Sequence, residues 1–318
     1  MNSQAHSHPA RRTKIITTLG PATESDEAIK SLVEKIDVAR LNFTHARHDW
    51  AAEMVRKVRR FAGAAGRFVA VMVDTQGPSI RTGSLDKPIE LKAGATLVFT
   101  VQGEKEREFP SVDVNYDFIS DVRVGDTVLV DNGVIRMEVL EKQSRKIRCR
   151  VLTEGVLGSH RHINLPGIHV NLPSITKKDL EDIEWAVQND IDWIALSFVR
   201  EANDITKVRK FLKEHGSEIR IVAKIEDQEA VANLDELMEA ADALMIARGD
   251  LGIECHLEEL PIIQRRIVKR CLRSEDLLTR YDGDEFMLVA RGLNTEDAIA
   301  VVLERIRSSV EKHSFEHA

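Results

Sequence analysis

The sequence predicts an α/β protein: a parallel sheet of βα units interrupted by a small all-β insertion. Three observations carry this. From Lys14 onward, short β-branched apolar runs alternate with longer amphipathic segments, the pattern of parallel strands joined by helices. Between Ser84 and Asn164 the rhythm gives way to short alternating runs separated by Gly and Asp turns, and then resumes. The length, 318 residues, suits two domains of ~150 residues, or one barrel of about 250 with an addition.

The strand runs are Lys14–Thr18, Val38–Phe43, Val69–Asp74, Trp193–Phe198, Arg220–Lys224 and Ala243–Ile246. Helical patterns lie at Asp26–Lys35, Asp49–Ala65, Lys177–Asn189, Ala202–His215 and Gln228–Ala241. Thr176 reads as an N-cap, with Asp179 in the first turn where the helix dipole favours negative charge. Within the insertion the strands are Thr96–Val101, Thr127–Val130, Ile135–Val139 and Ile147–Leu152, with turns at Gly125-Asp126 and Asn132-Gly133. A third region from Arg273 holds a strand at Glu285–Val289 and an amphipathic helix at Thr295–Lys312.

Composition excludes several function classes. At 43% hydrophobic and 31% charged, the chain is globular and not of low complexity. Against 52 Asp and Glu stand 45 Lys and Arg, a net charge of -7, so no basic field exists to hold a nucleic acid. Cys149, Cys255 and Cys271 have no CxxC spacing, which predicts neither a disulfide framework nor a zinc site and favours the cytoplasm. No run approaches the ~20 apolar residues of a membrane span, and the N-terminus lacks a signal-peptide core. His6 and His8 are read as part of a disordered tail over residues 1–11.

In parallel βα folds ligands meet the carboxyl ends of the strands. Here the second strand ends Arg40-Leu41-Asn42-Phe43-Thr44-His45, and the third Asp74-Thr75-Gln76-Gly77-Pro78, with Arg81 just beyond. The fifth ends Lys224-Ile225-Glu226, and the sixth runs into Arg248-Gly249-Asp250-Leu251-Gly252. Glu226 and Asp250 are hard oxygen ligands suited to Mg²⁺, which takes one or two carboxylates plus substrate oxygens. With Lys224 and Arg40 as cationic donors, the set describes a site for a metal-bridged phosphoryl group. Taken singly, each residue also fits a turn, a helix cap or a surface ion pair.

Six stretches, in order, resemble the pyruvate kinase family: Thr13 to Thr23 (TKIITTLGPAT), Ala39 to His45 (ARLNFTH), Asp74 to Gly83 (DTQGPSIRTG), Asn164-Leu165-Pro166-Gly167, Lys224-Ile225-Glu226, and Ala247 to Glu254 (ARGDLGIE). The resemblance spans Arg12 to Leu272. It implies a (β/α)₈ TIM-type barrel with a β-domain capping its mouth after the third strand. The implied reaction, a step of glycolysis, moves the phosphoryl group of phosphoenolpyruvate to ADP, giving pyruvate and ATP. By position, Lys224 would stabilise the transferring phosphoryl group and the enolate oxygen, and Arg40 would contact the substrate phosphate. Glu226 and Asp250 would hold Mg²⁺ or Mn²⁺, and Arg248 and Gly249 would bind the substrate carboxylate. Asn42, Thr44, Asp74 and Thr75 would form a K⁺ site, with His45 and Arg81 facing the nucleotide. Asp131 would lie in the lid and approach as it closes, excluding water.

The sequence also departs from the family. Thr44 replaces the usual Ser, and Ala46 the usual Gly. Ser79 stands where potassium-dependent members carry Glu and many independent members carry Lys, which leaves monovalent-cation dependence open. After Asp250 the family continues into two further barrel strands, the first ending in an Ala-Thr-Gln motif whose Thr is implicated in protonating the enolate, and then a C-terminal domain. Neither is recognisable here; a homo-oligomer stays open, without the C-terminal domain usual in the family. The helix Glu258–Leu272 still resembles the family to about Cys271. From Arg273 to Phe286 (RSEDLLTRYDGDEF), and again at Glu304-Arg305-Ile306-Arg307, the chain resembles the second half of a GGDEF-type diguanylate cyclase. Asp282 occupies the first Gly of that signature, where a carboxylate would repel the GTP phosphates that paired glycines admit, so neither cyclase activity nor GTP binding is expected.

The expected division is therefore a tail (1–11), an incomplete (β/α)₈ barrel (12–83 and 165–272), an inserted β-domain or lid (84–164) and a GGDEF-like fragment (273–318). An open six-strand barrel leaves an unpaired edge. In one arrangement Glu285–Val289 docks there as a seventh strand. Two function classes follow: a pyruvate kinase-type phosphotransferase using phosphoenolpyruvate and ADP/ATP, its activity reduced or lost by the shortened barrel, or a non-catalytic phosphometabolite-binding, interaction or non-functional chimeric chain.

Overall fold

The structure, a computed structural model, describes residues 14–101, 104, 106–170, 172–255 and 258–270, and the backbone of 277–282 and 285–289. The chain divides into two compact units, residues 1–73, 189–193 and 261–318 in the first and 74–188 and 194–260 in the second.

The chain opens with β1 (Ile16–Thr18), α1 (Asp26–Val33), β2 (Val38–Asn42), α2 (His48–Ala64) and β3 (Ala70–Asp74). Ser25 starts α1 by accepting a hydrogen bond from the Ala28 N–H, and Asp26 and Glu27 fill the first turn. β1 and β2 pair in parallel, with Ile16 opposite Val38. Every residue of β3 is buried, the pattern of a strand covered on both faces.

Between β3 and the return of the βα rhythm lie β4 (Ile80–Arg81), β5 (Ile89–Leu91), β6 (Thr96–Val101), β7 (Ser111–Val114), β8 (Thr127–Val130), β9 (Ile135–Lys142), β10 (Lys146–Val151), β11 (Gly155–Leu157) and β12 (His162–Asn164), the first of them ahead of the bounds 84–164 expected for the insertion. Seven form one sheet in the order β4-β12-β8-β9-β10-β6-β7, and β5 pairs with β11. β8 and the first part of β9 alternate buried with more exposed residues, as expected for sheets with one face on a core. That core contains Leu97, Ile135, Met137 and Ile147, with the Phe99 and Phe118 rings edge to face at 5.9 Å. Asp131 and Asn132 take φ of 54° and 56° between β8 and β9, the left-handed conformation that Asn and Asp tolerate in tight hairpin turns.

The βα rhythm resumes with α3 (Lys177–Gln188), β13 (Trp193–Leu196), α4 (Ala202–Glu214), β14 (Arg220–Ile225), α5 (Gln228–Ala232), α6 (Leu234–Ala240), β15 (Ala243–Ile246), α7 (Arg248–Glu254) and α8 (Leu260–Arg270). Thr176 does cap α3: its hydroxyl accepts from the Asp179 N–H at 3.1 Å while Asp179 Oδ2 accepts from the Thr176 N–H at 2.8 Å. The six strands outside the insertion lie in one sheet in chain order, β1-β2-β3-β13-β14-β15. That order lacks the reversal of a doubly wound sheet and is the order of a barrel. β15, the last strand in this order, is half-buried throughout, whereas five of the six residues of β14 are buried.

One acidic device recurs at three strand starts. Asp37, Asp192 and Asp242 each directly precede a strand and accept the N–H of Ile15 (2.9 Å), Val71 (2.6 Å) and Ile221 (2.7 Å). Each also pairs with an arginine: Arg67, Arg59 and Arg209 respectively. A charged acceptor on a backbone donor is among the stronger hydrogen bonds and fixes the register of neighbouring strands.

Three expectations differ from the structure. The helix expected over Gln228–Ala241 breaks at Asn233, whose side-chain amide donates to the Arg200 carbonyl at 2.9 Å instead of sitting idle on a continuous helix. The strand expected to reach Phe198 stops at Leu196, because Phe198 turns to φ 53°. Glu285–Val289 forms β17, paired antiparallel with β16 (Leu277–Asp282) in a two-stranded sheet of their own, and does not extend the six-stranded sheet. The two runs are separated by two residues, so closing them together costs less entropy than a distant pairing. The tail at residues 1–11 and the helix expected at Thr295–Lys312 lie outside the described residues.

Candidate active site

In the second unit the ends of β3, β13 and β14 bring four side chains together. Lys224 Nζ lies 2.6 Å from Glu226 Oε1 and 3.2 Å from Asp74 Oδ1 and donates to Ser197 Oγ at 2.8 Å. Ser197 Oγ in turn donates to the Thr75 carbonyl at 2.7 Å, and the Ser197 N–H reaches Thr75 Oγ1 at 3.2 Å. Lys224, Glu226, Asp74 and Ser197 are all buried. Burial works against the Lys224 charge, but the Glu226 and Asp74 carboxylates outweigh it and raise the ammonium's pKa above its ordinary value. Glu226 is pushed up to about 7 by burial, with Lys224 opposing the shift and the Asp250 charge adding to it.

The loop after β13 is strained in order to serve this cluster. Phe198 occupies the left-handed region, uncommon for a large side chain, and there its N–H donates to Glu226 Oε2 at 2.7 Å. Gly77 lies against the same loop with φ 68°. A Cβ added there would come within 2.9 Å of both Ser197 Cβ and Phe198 Cδ2. The Gly77 N–H is held by Asp179 Oδ1 at 3.0 Å, so the capping residue of α3 also anchors the turn after β3.

Asp250, in the first turn of α7, adds its charge to the environments of Glu226, His162 and Glu254. Arg248 and Gly249, the first two residues of α7, are exposed. Arg81, on β4, donates to Ser79 Oγ at 3.2 Å and the His160 carbonyl at 3.1 Å. Asp131 accepts from Arg161 at 3.3 Å. Its turn lies near α7, since a Cβ on Gly133 would sit 3.5 Å from Ile253 Cγ2. The remaining expected residues belong to the first unit, at the end of β2. There Arg40 donates to Thr18 Oγ1 at 2.9 Å, Asn42 Oδ1 accepts the Thr44 N–H at 3.0 Å, and His45 is exposed.

Sequence reasoning missed Ser197, Phe198 and Asp179. Ser197 had a signal, being the polar residue in the otherwise apolar run Trp193–Phe198. Phe198 acts through its backbone N–H, which residue type does not disclose, and Asp179, legible as the acidic residue in the first turn of α3, gave no sign in the sequence that it also accepts the Gly77 N–H.

Among the described residues no group of three or more His, Cys, Asp and Glu side chains is placed to hold a metal. Glu226 and Asp250 supply two carboxylates, the number Mg²⁺ takes when substrate oxygens complete its shell. Burial and a facing carboxylate raise Glu226, a burden that a dication would relieve, so this donor set fits a divalent ion.

The chain is similar to known proteins over most of its length. The family model described as the pyruvate kinase barrel domain matches residues 10–278, and that of the diguanylate cyclase GGDEF domain matches residues 260–318. A pyruvate kinase of Geobacillus stearothermophilus is 45% identical over 270 residues, covering 82% of this chain and 45% of the relative. Pyruvate kinases of Bacillus licheniformis (41% over 267 residues) and Staphylococcus aureus strain MRSA252 (38% over 266 residues) each cover 82% of this chain, and 46% and 45% of their own lengths. The chain thus spans about half the length of the curated relatives it matches.

Proposed function

The chain belongs to the pyruvate kinase family through its barrel domain, and on that footing we propose that it binds phosphoenolpyruvate beside Lys224 and transfers its phosphoryl group to ADP. The observation that carries this reading is the buried Lys224, kept charged between Glu226 and Asp74 at the strand ends, with Asp250 acting on the same cluster. In the transfer, the bond from phosphorus to the enol oxygen breaks as a bond forms to a terminal ADP oxygen. The enolate left behind takes a proton to become pyruvate. Negative charge grows on the transferring group and the enolate oxygen, and a buried ammonium with its partners already fixed stabilises it without reorganising.

Glu226 and Asp250 would hold Mg²⁺ or Mn²⁺, which when bound neutralises charge on the phosphoryl oxygens. Arg40 would contact the substrate phosphate, Arg248 and Gly249 its carboxylate, and His45 and Arg81 the nucleotide. Asn42, Thr44, Asp74 and Thr75 would form the K⁺ site, and Asp131 would act from the lid. Among the described residues no helix is long and apolar enough to cross a membrane, and the sparse cysteines, without CxxC spacing, support a cytoplasmic location.

A second reading, binding without turnover, is favoured by one observation: the pyruvate kinase match passes into the GGDEF match between residues 260 and 278, from α8 onward, and β15 is the last strand in the order of the six-stranded sheet. A coupled assay for pyruvate, run with phosphoenolpyruvate, ADP and Mg²⁺, separates the two. Turnover that requires ADP and is abolished by Lys224→Met supports phosphotransfer. Saturable phosphoenolpyruvate binding with no pyruvate released selects the second reading, and neither binding nor turnover refutes both.

A further inference from the structure

The same unit holds a cavity built differently from the Lys224 cluster. It has a volume of about 400 Å³, a size that accommodates a small organic molecule. It lies between the stretch from Asn164 to Leu172 and the loops after β13 and β14, and neither Lys224, Glu226 nor Asp250 lines it. One wall is apolar, formed by Ile80, Leu165, Ile168, Leu172 and Phe198. The polar wall carries three carboxylates, Asp227, Glu229 and Glu254, against one guanidinium, Arg200, and two imidazoles, His162 and His169, of which His162 is held toward its neutral form by burial.

The cations present are already engaged. Arg200 Nε lies 3.1 Å from Asp227 Oδ2, its Nη1 donates to the Val170 carbonyl at 3.0 Å, and His169 Nδ1 lies 2.9 Å from Glu229. What is left wanting is a donor. Asn164 is 4% exposed, and its Nδ2 donates to Glu254 Oε1 at 2.9 Å, but its buried Oδ1 has no hydrogen-bond partner. Buried polar atoms without partners are rare in native proteins and call for an account, such as a bound ligand or water. Burial pushes Glu254 up to about 7, only partly offset by Asn164 and Arg200, in keeping with a carboxylate short of a cation.

We propose that this cavity binds a small primary ammonium ion carried on an apolar body. The ammonium donates to Asn164 Oδ1 and to the Glu254 carboxylate while the body lies on the wall of Ile80, Leu165 and Phe198. An alcohol offers a donor without the charge, and a carboxylate or phosphate meets three like charges. The inference stands apart from phosphoryl transfer, since its ligand, its polar groups and its readout are different, although Phe198 borders both the cavity and the Lys224 cluster.

The test is calorimetric titration of the full chain at pH 8 with n-hexylammonium chloride, 1-hexanol and sodium hexanoate. The expected result is saturable, one-to-one binding of the amine, with the alcohol and the acid weaker by about tenfold or more. Glu254→Gln, close to isosteric, is expected to lower amine affinity by about tenfold while leaving the affinity for 1-hexanol unchanged. If that variant does not fold, the comparison of three ligands on the unaltered chain decides alone. Hexanoate or hexanol binding as tightly as the amine, no saturable amine binding, or an amine affinity indifferent to Glu254→Gln would each overturn the proposal. Amine binding in a chain that fails to bind phosphoenolpyruvate would leave it standing.

Discussion

Replacing Lys224 by Met keeps an unbranched stem of similar length and removes a charge that faces both Asp74 and Glu226. At an effective dielectric constant of about 20, unit charges 2.6 Å and 3.2 Å apart attract by about 6 and about 5 kcal/mol. Much of that attraction offsets the desolvation of the buried ammonium in the intact protein. The measurable loss is therefore nearer the ~3–5 kcal/mol typical of breaking one side of a buried pair. It depends on pH in a definite direction. Glu226 already titrates at about 7 with Lys224 beside it, and without that cation its folded-state pKa climbs further above the ordinary 4.5. At pH 5.5 the variant's Glu226 is protonated and the penalty shrinks, whereas at pH 8 the buried carboxyl costs free energy whether it ionises or holds its proton, so the penalty grows. Urea denaturation of Lys224→Met and the unaltered chain at the two pH values measures this. A variant as stable as the unaltered chain at pH 8, or a deficit equal at pH 5.5 and pH 8, would refute the charge-cluster argument.

Other consequences are simpler. Glu254 binds more protons folded than unfolded between the ordinary 4.5 and about 7, so its contribution to stability is full below that window and is lost as pH rises through 7. Glu254→Gln should flatten that part of a stability-against-pH curve, and an unchanged slope would contradict the burial argument. Gly77→Ala places a Cβ against Ser197 and Phe198 at positive φ and should cost about 2 kcal/mol or more in thermal denaturation. Asp242→Ala strips a charged acceptor from the Ile221 N–H and should cost about 1–3 kcal/mol, with faster hydrogen exchange at that amide as its signature.

The sheet was legible because its signal is redundant. Ala243–Ile246 is found at its expected bounds, and Val38–Phe43 and Val69–Asp74 differ from β2 and β3 by a single residue. Periodicity over several residues survives local detail. It fails where one side chain overrides the local preference, as Asn233 does in splitting a helix, or where pairing needs only a few residues, as in β4, β11 and β12. At the site, residue types at strand ends pointed to Lys224, Glu226, Asp74 and Asp250, and the family resemblance supplied roles for them. The fixing of Glu226 by the Phe198 N–H was not legible, because any residue carries that donor and only the backbone turn aims it. The burial that raises Glu226 likewise depends on packing from several distant segments.

The most direct measurement is the affinity of the purified chain for phosphoenolpyruvate, by calorimetry, with and without Mg²⁺, in the unaltered protein and in Asp250→Ala. The account predicts binding that requires Mg²⁺ and weakens by about tenfold or more in the variant. Binding that ignores both the metal and the loss of Asp250 would contradict it.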